Sequence, residues 1–187
     1  MAVGVILQSS YRFKMTSHRD LNPTHEIAVL DSYKNLLSSQ GKVLELINRP
    51  DPPDAIVKID GVDTWIEITD AHFSQETAIS ITSHAADDKV HISSKGDLVG
   101  DFDSITNGRV ESAIKAKLQK KTMQSIATLN KPGILLVGLY GPFFDILQVE
   151  SNFSDEFKAE LKTQNIFSSI YVYQTCNQNT HACHKIK

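Results

Sequence analysis

The sequence has only two cysteines, Cys176 and Cys183, both near the C-terminus. They cannot build a disulfide framework, which points to a reducing, intracellular setting. No apolar run approaches the roughly 20 residues of a membrane span. Ala2 to Leu7 is apolar but short, with no basic region before it, so it does not read as a signal peptide. Residues 1–14 show no pattern tying them to the rest of the chain, and Met15 is a candidate alternative start. An excess of one charge is missing too: 19 Lys and Arg stand against 22 Asp and Glu, a net charge of −3. The whole chain is not a polycation, so any nucleic-acid surface must be a local patch. Glycine-rich phosphate loops, Ser–His–Asp signatures and recognition-helix motifs are also absent.

What is present is ordinary for a globular domain: 187 residues, 41% hydrophobic and 22% charged. That length suits one domain with a sizeable core and excludes a disordered, collagen-like or coiled-coil chain. We expect a single cytoplasmic domain over 1–187, with no membrane partner.

Asn22-Pro23 writes a helix start, and Thr24 to Ser39 carries apolar residues at helical spacing until Gly41 ends it. Residues 1–21 then read as an extension. Val43 to Ile47 is a short strand, and 48–53 is a proline-rich connector. Ala55 to Ile59 and Val62 to Thr69 flank Asp60-Gly61, a dipeptide preferred in two-residue type I′ turns. Residues 73–108 lack periodicity and read as an insertion shaping substrate access. A helix is expected from Asn107 to Leu129, a buried strand over Ile134 to Tyr140, and a helix over Ser154 to Gln164. Ser168 to Tyr173 closes the order as a last strand, and 174–187 reads as a polar tail. The order implies an α/β (α+β) three-layer domain, with a mixed central sheet flanked by helices.

The hairpin gives the sharpest inference. If Asp60 and Gly61 form the loop, Ile59 pairs with Val62 and Asp54 lies opposite Glu67. Opposed residues share a face, with Cβ atoms about 4.5–5.5 Å apart. Trp65 and Thr69 join that face, while Ile66 and Ile68 point the other way. Two opposed carboxylates repel unless a cation or shared proton intervenes. Hard oxygens with no histidine or thiolate nearby suit Mg²⁺ or Mn²⁺. The same residues are compatible with an exposed face on which Asp54 caps the strand entry and Glu67 is solvated.

Pro53-Asp54, the hairpin and Glu67-Ile68-Thr69 together resemble the signature of the PD-(D/E)XK, or restriction-endonuclease-like, nuclease superfamily. The element order resembles that family's core over about residues 22–140. The resemblance implies a metal-dependent nuclease acting on nucleic acid, DNA before RNA, and is compatible with a homodimer. It implies Asp54, Glu67 and the Ile68 carbonyl as metal ligands. Thr69 stands where the family usually has lysine, and in this superfamily that lysine can come from the following helix.

Around the expected 107–129 helix, Val110, Ala113, Ile114, Lys117, Lys121 and Gln124 fall in one sector. Lys121 lies nearest its middle. One of Lys117 and Lys121 would place an ammonium near the scissile phosphate, with Gln124 assisting; snorkelling from the edge of a basic helix also accounts for both lysines. Arg109, Lys115, Lys117, Lys120 and Lys121 make the segment locally basic, which suits a phosphodiester backbone as well as a solvated face. Glu26 shares the core-facing stripe of the first helix and resembles the extra acidic residue of many superfamily members; the helix dipole alone also favours it there. Cys176, His181, Cys183 and His184 lack a recognised zinc spacing. The rival reading is a non-catalytic module that binds nucleic acid or protein on a nuclease-like scaffold.

Overall fold

The computed structural model describes residues 18–72, 102–140, 146–177 and 180–187. The N-terminal extension before His18 lies outside them, as do residues 73–101 of the expected insertion.

Helix α1 spans His18–Ser39, beginning four residues before Asn22-Pro23, and Gly41 closes it at φ +74. Strands β1 (Leu44–Asn48), β2 (Ala55–Ile59) and β3 (Val62–His72) follow as an antiparallel meander. Helices α2 (Phe102–Gln119) and α3 (Lys121–Asn130) lead to β4 (Gly133–Tyr140), which runs parallel to β3. Helix α4 (Asp155–Thr163) leads to β5 (Phe167–Asn177), parallel to β4. Strand β6 (Thr180–Lys185) returns antiparallel to β5, so the six strands lie in sheet order β1-β2-β3-β4-β5-β6.

The sheet has an apolar layer on each face. Val29, Leu30, Tyr33 and Leu37 of α1 pack on Val57, Ile66, Ile68 and Leu136. On the other face, Val110, Ile114, Leu118, Met123 and Phe157 of α2–α4 pack on Trp65, Leu135, Val137 and Phe167. This is the expected three-layer α/β architecture with a mixed sheet. No helix among the described residues is long and apolar enough to cross a membrane.

Three expectations need correction. The insertion does not run to 108: helix α2 begins at Phe102, so 102–108 are its first turns. The segment 174–187 is no loose tail: Thr180–Lys185 forms β6, and Ile186 is buried. An edge strand is held by main-chain hydrogen bonds to one neighbour, so it needs little apolar patterning. Nor is there one helix over 107–129. On an unbroken helix Met123 would lie about 140° from Leu118, off the core face. The break at Lys120 (φ −70, ψ 115) rephases the chain so that Met123 is fully buried. Gln124 Nε2 donates to the Leu118 carbonyl at 3.0 Å, satisfying an acceptor at the end of α2.

Candidate active site

The β2–β3 turn has positive φ at both Asp60 and Gly61, and the pairs Ile59–Val62 through Ala55–Ile66 keep the expected register. Hydrogen-bonded and open pairs alternate along such a ladder. Counting from the turn, Ala55–Ile66 is a bonded pair, 54–67 an open position, and 53–68 the next bonded one. Proline stands at 53 and has no N–H to give. The Pro53 carbonyl instead accepts from the Asp51 amide at 3.0 Å. Both main-chain groups of Ile68 are therefore released from the ladder. The Ile68 amide donates to Asp54 Oδ2 at 2.6 Å, which turns the aspartate across the end of the hairpin toward β3.

Glu67 projects to the α2 side of the sheet and is 2% exposed. Lys117, from the last turn of α2, donates through Nζ to Glu67 Oε1 at 2.5 Å and to the Ile68 carbonyl at 3.3 Å. Lys120 Nζ stands 3.9 Å from the same Glu67 oxygen. Among the described residues, the buried Glu67 Oε2 has no hydrogen-bond partner. Two carboxylates, a main-chain carbonyl and an ammonium thus meet at one end of the hairpin.

The charges are strained. Burial, with the negative charge of Glu67, pushes the Asp54 carboxyl up to about 6, against the opposing pull of the Ile68 amide and Lys117. Its ordinary value is 3.8, so between about pH 4 and 6 the folded protein holds a proton that the unfolded chain has released. Stability contributed by this group therefore falls as pH rises through that window and stays lower above it. Asp54→Asn keeps an acceptor for the Ile68 amide but loses the charge. In metal-free buffer the variant should melt several degrees above wild type at pH 8, with the gap closing toward pH 4. Scanning calorimetry in EDTA checks this; a gap independent of pH rules it out.

Glu26 sits on the α1 face as expected, but its carboxylate is ion-paired with the Arg49 guanidinium. Burial raises the Glu26 carboxyl, Arg49 draws it down, and Asp51 raises it again. Arg49 Nε also reaches the Asp54 carbonyl at 3.4 Å, so this one side chain ties α1 to the entry of β2. Sequence reasoning passed over Arg49 because a lone cation in a proline-rich connector has no pattern around it.

The other expected residues are spread out. Lys121 opens α3 and is exposed, and no described hydrogen bond or ion pair joins it to Asp54 or Glu67. Gln124 is exposed and spent on the Leu118 carbonyl. Arg109 is exposed on α2, two turns before Lys117. The helix break explains the change: beyond Lys120 the lysine sector no longer continues.

A second polar cluster escaped the sequence reading. Tyr173 of β5 donates to Asp70 Oδ1 at 2.7 Å, and His25 Nε2 lies 3.1 Å from the Tyr173 hydroxyl and 3.4 Å from Asp70. Burial pulls the imidazole down, but the bond and charge of Asp70, with Glu26, outweigh it and leave it raised. Strand parity held the clue, since it puts Asp70 on the same face as Ile66 and Ile68, where a carboxylate needs partners.

Among the described residues no three His, Cys, Asp or Glu side chains are grouped to hold a metal. Any cation here would rest on Asp54, Glu67 and the Ile68 carbonyl, an all-oxygen set suited to Mg²⁺ or Mn²⁺. The orphaned Glu67 Oε2 is the observation that favours one, since buried carboxylate oxygens are seldom left without a partner. In comparisons with protein families, curated proteins and solved structures, nothing matches this chain.

Proposed function

We propose that this chain is a cytoplasmic, metal-dependent phosphodiesterase acting on nucleic acid, DNA before RNA, on a restriction-endonuclease-like scaffold. The observation that carries the reading is the meeting of Asp54, Glu67, the freed Ile68 carbonyl and the Lys117 ammonium at one hairpin end. A bound Mg²⁺ or Mn²⁺ would polarise the phosphate and acidify a water for in-line attack. Asp54 and Glu67 would hold it with the Ile68 carbonyl. Lys117 stabilises negative charge on the phosphate oxygens, the work that Thr69 is unable to do. Arg49 keeps Glu26 and the Asp54 main chain in place.

Cleavage of plasmid and oligonucleotide with Mg²⁺ or Mn²⁺ tests the reading. Lys117→Ala should lower turnover about 10²-fold, the scale of removing one preorganised charge-stabilising group. Lys121→Ala should cost less than about threefold, as for a single exposed cation near a polyanion. Equal losses in both variants count against the assignment of Lys117. If wild type cleaves neither DNA nor RNA with either metal, the chain is a binding module.

A further inference from the structure

The Lys117 ammonium is placed where a metal would be expected to act. It touches Glu67 Oε1 and the Ile68 carbonyl, two of the three groups assigned above to a divalent cation. Glu67 is almost wholly buried, so water does little to screen it, and the ammonium is its closest compensation. Lys120 adds a second positive charge 3.9 Å away. In the metal-free chain, the site already holds a cation of its own.

Resting on the nuclease reading, we propose that Lys117 is a built-in competitor that keeps divalent metal weakly bound until a nucleic-acid phosphate takes over its ammonium. A metal held by these same oxygens would bring a second positive charge close to the ammonium, and like charges repel strongly in a partly desolvated site. The ammonium must either move or weaken the metal. It has a route outward: the Lys117 side chain is 18% exposed against 2% for Glu67, and its four-carbon stem is flexible. Once displaced, it needs another anion, which a phosphodiester backbone supplies. Metal and nucleic acid therefore favour each other's binding, and linkage makes the effect reciprocal. Lys117 then has two opposed roles: it suppresses metal before substrate arrives and stabilises charge afterwards.

Calorimetric titration of Mn²⁺ into EDTA-stripped protein separates these roles. Lys117→Met keeps the length of the stem and removes the charge. It should bind Mn²⁺ about tenfold or more tightly than wild type, while cleaving more slowly. A short phosphorothioate DNA duplex should tighten Mn²⁺ binding to wild type by several-fold more than it tightens binding to Lys117→Met, where only direct contact between metal and phosphate remains. Without metal, Lys117→Met should melt below wild type, and Mn²⁺ should restore it, because Glu67 is otherwise left buried and unpaired. Equal or weaker Mn²⁺ affinity in Lys117→Met, with wild type still binding and cleaving, overturns the competitor role and leaves the nuclease reading standing. Absence of coupling between duplex and Mn²⁺ in wild type overturns it without any variant. Failure of both proteins to bind Mn²⁺, with or without duplex, overturns the competitor and the metal site together.

Discussion

Asp54→Asn and Glu67→Gln should each abolish measurable Mn²⁺ binding and lower nucleic-acid cleavage by on the order of 10³-fold or more. That is the scale of losing several kcal/mol of metal-derived charge stabilisation. Both substitutions preserve shape. Asn at 54 still accepts from the Ile68 amide, and Gln at 67 fills the same buried volume, so the hairpin and its register should persist. Loss of binding would therefore report on charge rather than on folding. Titration calorimetry beside far-UV circular dichroism makes that distinction. Unchanged Mn²⁺ affinity in both folded variants would remove the site from consideration.

Gly133→Ala should be strongly destabilising for a change of one methyl group. A Cβ at 133 would lie 2.3 Å from two ring atoms of Trp65 and 2.7 Å from a third. The ring has no room to yield. It is 2% exposed, packs on Phe167 with centroids 5.3 Å apart, and donates through Nε1 to the Lys131 carbonyl at 2.9 Å. The glycine main chain is pinned as well, by the Ile166 carbonyl at its amide and the Ser168 hydroxyl at its carbonyl. Overpacking of this kind costs about 3 kcal/mol or more. In a chain of this size that lowers Tm by about 6–12 °C. Trp65 is the one tryptophan in the sequence, so its fluorescence reports the disturbance directly. Gly108→Ala, where the added methyl meets nothing within 4 Å, is the control and should be neutral or mildly stabilising. A Gly133→Ala variant melting within 2 °C of wild type, on the order of 0.5 kcal/mol, would refute the argument.

Legibility in the sequence followed the range of the forces involved. Asp60-Gly61 sets its own turn, the turn sets the β2–β3 register, and Asp54 and Glu67 come together at the end of that hairpin. Each step is local. The side of α2 that carries Lys117 was legible for the same reason, since Val110 and Ile114 fix its phase within two turns. Lys121 and Gln124 were misplaced because the break at Lys120 answers to the tertiary demand of Met123, which no local signal announces. The β6 edge was invisible because Thr180–Lys185 places its two small apolar residues, Ala182 and Cys183, side by side rather than in alternation, and main-chain pairing with β5 defines it. Contacts such as Glu26–Arg49 and His25–Asp70–Tyr173 join residues far apart in the chain and depend on where α1 settles on the sheet. Only the demand for partners was readable, never their identity.

The proline at 53 gives the site an unusual dependence on a single hydrogen atom. The β2–β3 hairpin behaves as a zipper that closes from Asp60-Gly61 until it meets a tooth that is not there. Any other residue at 53 would supply the missing N–H, one of the two bonds the next pair needs; the other requires the carbonyl of residue 53 to leave the Asp51 amide. With both bonds made, the Ile68 carbonyl would become ordinary sheet, and its amide would no longer need the Asp54 carboxylate. Where the zipper stops thus decides whether a stretch of backbone is closed into the sheet or left open to side chains such as Asp54 and Lys117. A side chain with no chemistry of its own fixes the boundary between the two.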